Sequence, residues 1–272
     1  MYRKTAFDDL TYPPGFYPGE PGELKKLISS FRIPGEPRAK AVGAIVPHAG
    51  LVYSGAVAKA VYDSCEIPAT AVLLGPSHRG AGRPFALWAQ GAWETPFGAL
   101  AVDEALAEDI ARTCPHVEKD TRAHAGEHSI EVQLPFLALA RKDVKIVPIS
   151  VAVHDLARLR EFGETLSRAL APKKDDCIIF ASSDMTHYES QKETQRKDGL
   201  ALERVKALDP DGLFRVVTRE GISMCGVAPA TAMLFAACDL GAREAKVVAY
   251  RTSGDVTGDY DAVVGYAGVV IR

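Results

Sequence analysis

The sequence predicts an α/β fold with a buried, mainly parallel sheet, and three observations lead there. Four runs of strand length, Ala41–Pro47, Ala71–Ser77, Val144–Val151 and Cys177–Ala181, are apolar at nearly every position, as strands covered on both faces are. Stretches with helical spacing or helix-start residues lie between and after them. Three of the strands then deliver polar residues at their carboxyl ends: His48, His78, and the pair Asp184 and His187. In open α/β sheets, ligands occupy the crevice beyond those ends, so residues placed there face a pocket and not the core.

In chain order, Tyr2 to Arg38 carries Tyr12-Pro13-Pro14-Gly15-Phe16-Tyr17-Pro18-Gly19, which reads as an extended arm because proline fixes φ and glycine permits turns. A helix follows from about Gly22 to Phe31. Its residues Leu24, Leu27, Ile28 and Phe31 recur at one-face spacing, and Pro34-Gly35 ends it. Beyond the His48 strand, Ser54 is placed to cap a helix to about Ser64. Another apolar run, Pro84 to Gln90, precedes a turn or bulged strand at Trp93–Gly98, and Asp103 caps a helix to Thr113.

Glu127–Leu137 is expected to be a helix kinked or restarted at Pro135, with His128 and Glu131 sharing a face. Further helices are expected at Asp155–Leu170, Ser190–Ala207, Pro210–Arg219 and from Pro229 to Cys238. Ala245–Ser253 and Ala262–Ile271 form the last strands, joined as a hairpin. No internal repeat or linker composition divides the chain, so residues 1–272 are expected to form one domain, with 1–38 as an arm and short helix packed on it.

The 272 residues are 47% apolar and 25% charged with a formal net charge of −3, an ordinary globular balance that favours neither nucleic acid nor an anionic membrane as partner. No secretory signal or spanning run is legible, which predicts a cytoplasmic protein. The five cysteines, at 65, 114, 177, 225 and 238, form no CxxC pair, so they are expected as free thiols. Nucleotide-binding glycine motifs and the GxSxG elbow are absent from the sequence.

His48, His78 and Cys225 each lie beside glycine, where backbone can approach a small ligand. Two imidazoles and a thiolate suit iron, copper or zinc, whereas magnesium and calcium prefer oxygen donors. Taken singly, each of the three also reads as an ordinary loop or core residue. Asp184 either completes a two-histidine, one-carboxylate iron site, orients a histidine, or caps the next helix. His187 reads as a general acid or base. His128 and Glu131 lack the second histidine of a zinc-protease helix and read as pocket walls or supports of a ligand. His116 and His154 are expected at the surface, and His124 stays open.

Together, Phe16-Tyr17-Pro18, Val46-Pro47-His48-Ala49-Gly50, Tyr53-Ser54-Gly55, Leu74-Gly75-Pro76-Ser77-His78, Glu94-Thr95-Pro96-Phe97-Gly98, Glu127-His128-Ser129-Ile130-Glu131, Ser182-Ser183-Asp184-Met185-Thr186-His187-Tyr188 and Cys225-Gly226 resemble the Memo family, whose prokaryotic members are called AmmeMemoRadiSam system protein B. The resemblance implies a single-domain three-layer α/β/α sandwich around a mixed, largely parallel sheet, similar to class III extradiol dioxygenases. It implies a metal site on His48, His78 and Cys225, with Asp184 and His187 lining the same pocket. Its implied cofactor is iron or copper in a redox role, and its implied partners are radical-SAM and AMMECR-type proteins. Two departures stand out: Cys225 takes the place of the carboxylate with which the dioxygenases complete their iron site, and Leu51 stands where an aromatic residue is expected. Three functions follow: a redox metalloprotein; an extradiol-type dioxygenase acting on a small aromatic substrate; and a non-enzymatic protein that captures a peptide or partner in a vestigial pocket.

Overall fold

The computed structural model describes residues 15–33 and 36–272 and the backbone of 3–4. The expected break at Pro34-Gly35 and the arm before Gly15 otherwise lie outside the described residues. The strands are β1 Arg3–Lys4, β2 Gly43–Val46, β3 Thr70–Pro76, β4 Phe85–Leu87, β5 Ala92–Thr95, β6 Gly98–Ala101, β7 Glu118–Lys119, β8 Lys145–Val151, β9 Cys177–Ser182, β10 His187–Glu189, β11 Ala245–Thr252 and β12 Val263–Ile271. The helices are α1 Pro21–Ser30, α2 Leu51–Ser64, α3 Glu104–Thr113, α4 Leu134–Ala140, α5 Leu156–Leu170, α6 Gln191–Lys206, α7 Pro210–Glu220, α8 Val227–Asp239 and α9 Gly254–Thr257.

Nine strands form one mixed sheet in the order β10-β12-β2-β9-β3-β8-β4-β7, with β11 on the other edge of β12. Its centre, β2-β9-β3-β8, is parallel throughout, and every residue of β2, β3 and β9 is buried. That is why those runs carry no polar alternation. Helix α8 lies against β9, β3 and β2 with α5 and α7 behind it, while α2 packs on β11, β12 and β2 with α1 and α4 against it. The α/β/α layering and the mixed, largely parallel sheet are therefore present. β1, β5 and β6 make a separate small sheet, in which the expected turn at Trp93–Gly98 is the bend of an antiparallel hairpin.

Most helix starts fall where the capping residues put them. Asp103, Asp155, Ser190 and Asp209 each accept the backbone N–H three residues on, satisfying a donor that the helix itself cannot. Two expectations are corrected. Helix α2 begins at Leu51, not after Ser54: Leu51 is fully buried, its N–H is taken by the Phe16 carbonyl at 2.8 Å, and Ser54 Oγ donates back to Ala49 at 2.8 Å from within the first turn.

The segment after Glu127 is not a helix kinked at Pro135. Residues 127–130 are irregular, Glu131–Gln133 is a 3₁₀ turn, and α4 starts at Leu134. Ser129 explains the irregularity, since its N–H is held by the Glu127 carboxylate at 2.9 Å and its hydroxyl by the Pro76 carbonyl at 3.1 Å, so the backbone is tied to the end of β3. Pro135 then sits in the first helical turn, where its missing N–H costs nothing.

One hydrophobic core runs from Tyr17 to Ile271 through all of the layers. No helix among the described residues is long and apolar enough to cross a membrane.

Candidate metal centre

Because β2, β9 and β3 run parallel in register, their carboxyl ends deliver His48, Asp184 and His78 to one edge of the sheet. β10 continues along the edge of β12 beyond the end of β2 and brings His187 to the same place. The fifth contributor, Cys225, arrives from far along the chain, at the start of α8. Gly226 lets it come close: a Cβ there would stand 2.3 Å from the Ser182 carbonyl oxygen and 2.4 Å from Ser183 Cβ, so only glycine lets Cys225 approach β9 this tightly.

His48, His78 and Cys225 place one ligand atom each within 4.8 Å of one another. Cys225 Sγ stands 3.3 Å from His48 Nε2 and accepts the Asp184 N–H at 3.3 Å. Asp184, His187 and Cys225 form a second such group, and His78, Glu127 and His128 a third. The three groups share His78 and Cys225, so they make one continuous cluster. The rings of His48, His78 and His128 meet at 4.7 to 5.4 Å, with His128 stacked between His78 and Phe16.

Two histidines of the cluster, His78 and His187, are oriented from behind. His78 turns Nδ1 to Glu127 at 2.9 Å, and its backbone N–H donates to the other carboxylate oxygen at 2.7 Å. His187 donates its N–H to Ser223 Oγ at 2.7 Å and sets Nδ1 3.0 Å from the Ser223 carbonyl. A carbonyl only accepts, so His187 carries its proton on Nδ1 and leaves Nε2 free. Carboxylate and carbonyl partners of this kind fix ring orientation for metal binding. Tyr188, in the bulge after His187, has φ 58°, a strained value for a non-glycine residue.

The electrostatics match a site for a cation. Burial holds His48 and His128 neutral, each with a pKa lowered to about 3. Burial also works against the charged form of His78, but its hydrogen bond and attraction to Glu127 raise it, and the same contact keeps Glu127 ionised against its own desolvation. Burial raises the Asp184 carboxyl despite hydrogen bonds from His48 and Ala49 at 2.8 and 3.3 Å, and burial beside Asp184 raises the Cys225 thiol. Two imidazoles that burial keeps neutral, a third held by Glu127, and a thiol that burial keeps protonated are a donor set that a transition-metal cation would complete, since coordination deprotonates the thiol. The residues fit a transition-metal ion.

Sequence and structure differ over the neighbours. Asp184 caps no helix; its carboxylate holds the backbone of His48 and Ala49. His128 joins the cluster, but from an irregular segment, so the expected helical face shared with Glu131 does not exist. Glu131 is buried, accepts the Tyr17 hydroxyl at 3.4 Å and belongs to none of the three ligand groups. His124 is buried with Nε2 2.9 Å from the Ala86 carbonyl, and His116 pairs with Glu161 at 3.0 Å. His154 is exposed yet lines a cavity of about 320 Å3 shared with His78, Ser223 and Cys225. Glu127, Ser182, Gln133 and Ser223 were missed as supports: nothing in their local spacing distinguishes them from capping or core polar residues.

Comparison with known proteins places the chain in a family. The chain is 42% identical over 271 residues to a MEMO1 family protein of Methanopyrus kandleri, covering 94% of this chain and 96% of that one. It is 41% identical over 259 residues to a MEMO1 family protein of Aquifex aeolicus, covering 94% and 95%. An uncharacterized protein of Escherichia coli K12 shares the fold at a TM-score of 0.52 and 13% identity, over 85% of this chain and all of that one. With residues 14–270 matching the family model described as Memo-like protein, the chain belongs to the Memo family.

Proposed function

We propose that the protein binds iron or copper through His48, His78 and Cys225 and serves a redox or oxygen-linked role. The observation that carries this reading is the meeting of three ligand atoms, from residues 48, 78 and 225, within 4.8 Å of one another. An ion held there would supply one-electron chemistry. The chain's own residues would do the rest. His187, with Nδ1 committed to Ser223, has Nε2 free to take or give a proton, Asp184 fixes the turn that carries His48, and the 320 Å3 cavity admits a small molecule beside His78 and Cys225. On this reading the protein works in the cytoplasm, alongside radical-SAM and AMMECR-type partners.

Metal analysis of protein purified without oxygen tests the proposal. Wild type is expected to retain close to one equivalent of iron or copper, and Cys225→Ser and His48→Ala to lose most of it; equal metal content in all three would overturn it. The carboxylate of Asp184 beside His187 and Cys225 favours a second reading, an extradiol-type dioxygenase. Oxygen uptake by the Fe(II)-loaded protein in the presence of a catechol is the result that would favour it over the first.

A further inference from the structure

The hydrogen bonds behind His48 admit one proton arrangement. Ser182 Oγ, at the end of β9, stands 2.6 Å from the Ser129 carbonyl, 2.8 Å from Gln133 Nε2 and 2.9 Å from His48 Nδ1. A hydroxyl has one proton, and a carbonyl can only accept, so that proton goes to Ser129. Gln133 is oriented with equal definition: its Nε2 faces the Pro47 carbonyl at 3.0 Å, and its Oε1 accepts the Tyr62 hydroxyl at 3.0 Å. The amide therefore donates to Ser182, filling one lone pair, and the remaining lone pair can be met only by a proton on His48 Nδ1. Tyr62, Ser129, Gln133, Ser182 and His48 are all buried, so water does not offer an alternative partner.

We infer that Ser182, set by Gln133 and Ser129, fixes His48 as the tautomer protonated on Nδ1, which leaves Nε2 to present its lone pair beside Cys225 Sγ. Ser182 and Gln133 are thus positioning residues. The opposite tautomer would need the Ser182 proton for itself and would strip the Ser129 carbonyl of its donor. Ser129 also joins the two histidines. Its N–H donates to Glu127 Oε1, which holds His78, while its carbonyl accepts from Ser182, which holds His48. One peptide segment thereby sets the aim of both imidazoles. The consequence for metal affinity rests on the metal-site reading; the tautomer does not.

Long-range ¹H–¹⁵N correlation spectra of metal-free, ¹⁵N-histidine-labelled protein at neutral pH test the inference, with His48 assigned by its loss in His48→Ala. The expected pattern is a protonated Nδ1 and a bare Nε2, and a protonated Nε2 would overturn it. In Ser182→Ala the tautomers are expected to mix and zinc affinity to fall about 10- to 100-fold, with Ser182→Thr restoring both because it keeps the hydroxyl. Ser150→Ala, which removes a buried hydroxyl that has no hydrogen-bond partner among the described residues, is the structural control and is expected to change neither. Unchanged His48 signals and zinc affinity in Ser182→Ala would overturn the inference. If Ser182→Ala does not fold, the wild-type spectrum decides. A protein that binds no metal yet shows the Nδ1 proton would remove the metal reading and leave this one standing.

Discussion

The two edges of the central parallel strands offer a direct contrast. Where β2, β3 and β9 begin, a cavity of about 430 Å3 is lined by Lys40, Arg141, Lys174, Asp175 and Arg272. Where they end, the cavity is smaller, about 320 Å3, and meets His78, His154, Ser223 and Cys225. The larger opening has more formal charge but less organised chemistry. Lys40 and Asp175 are 3.8 Å apart with each side chain about three-quarters exposed, at 77% and 76%, and Arg141 is paired with Asp143 in water. At the other edge His48 and Asp184 are buried and His78, though more exposed, is held by Glu127, so the ionisable groups there are oriented by directed hydrogen bonds. Among the described residues, all three groups able to hold a metal lie there. Organisation, not the size or charge of an opening, distinguishes a site.

The strongest way to break the contrast is Gly226→Ala. With a new methyl 2.3 Å from the Ser182 carbonyl, the start of α8 must move away from β9, and the variant is expected to lose about 3 kcal/mol in urea unfolding and to separate Cys225 from His48. A loss below about 0.5 kcal/mol would mean that the close approach is not tight.

Acid sharpens the contrast. His48 and His128 are held neutral with pKa values near 3, whereas an unfolded histidine titrates near 6.5. Between those values the unfolded chain binds more protons, so stability is lost as pH falls below about 6.5. Asp184, raised by burial, works in the opposite sense and offsets part of this loss, and His78, raised by its contact with Glu127, acts mainly above that window. Metal-free protein is therefore expected to lose about 1 kcal/mol per pH unit between pH 6 and 5. Urea titrations at several pH values would check this, and a flat profile would show that the imidazoles are not held neutral.

The smallest effect belongs to the other edge. Asp175→Asn breaks an exposed pair and is expected to change stability by less than about 0.5 kcal/mol and metal content not at all. A thermal melt together with metal analysis is sufficient, and a large shift in either would give that edge a role this contrast denies it.

Particular residues show why only part of this was legible in the chain. Cys177–Ser182 reads as a buried strand because burial on both faces demands apolar residues at every position, and its outcome, Asp184, is visible three letters after Ala181. Helix caps such as Asp103 and Ser190 are equally local, since each acts on an N–H three residues away. Ser54 misled because a serine near a helix start can also bond backward within the first turn. Glu127 misled further: its acidic, apolar context resembles a helix start, but its carboxylate is spent on His78, 49 residues earlier.

The sequence by itself determined the alternation of buried strands and helices, the placing of His48, His78 and Asp184 just past strand ends, and the glycine beside Cys225, because each follows from propensity, periodicity or steric need within a few residues. Only the tertiary structure decided that Cys225 lies against His48, that Asp184 grips the His48 backbone, and that Ser182 and Glu127 aim the two imidazoles. Those contacts join residues from 49 to 177 positions apart, and hydrogen bonds that close such loops exist only once the sheet order β2-β9-β3 has brought the strand ends together.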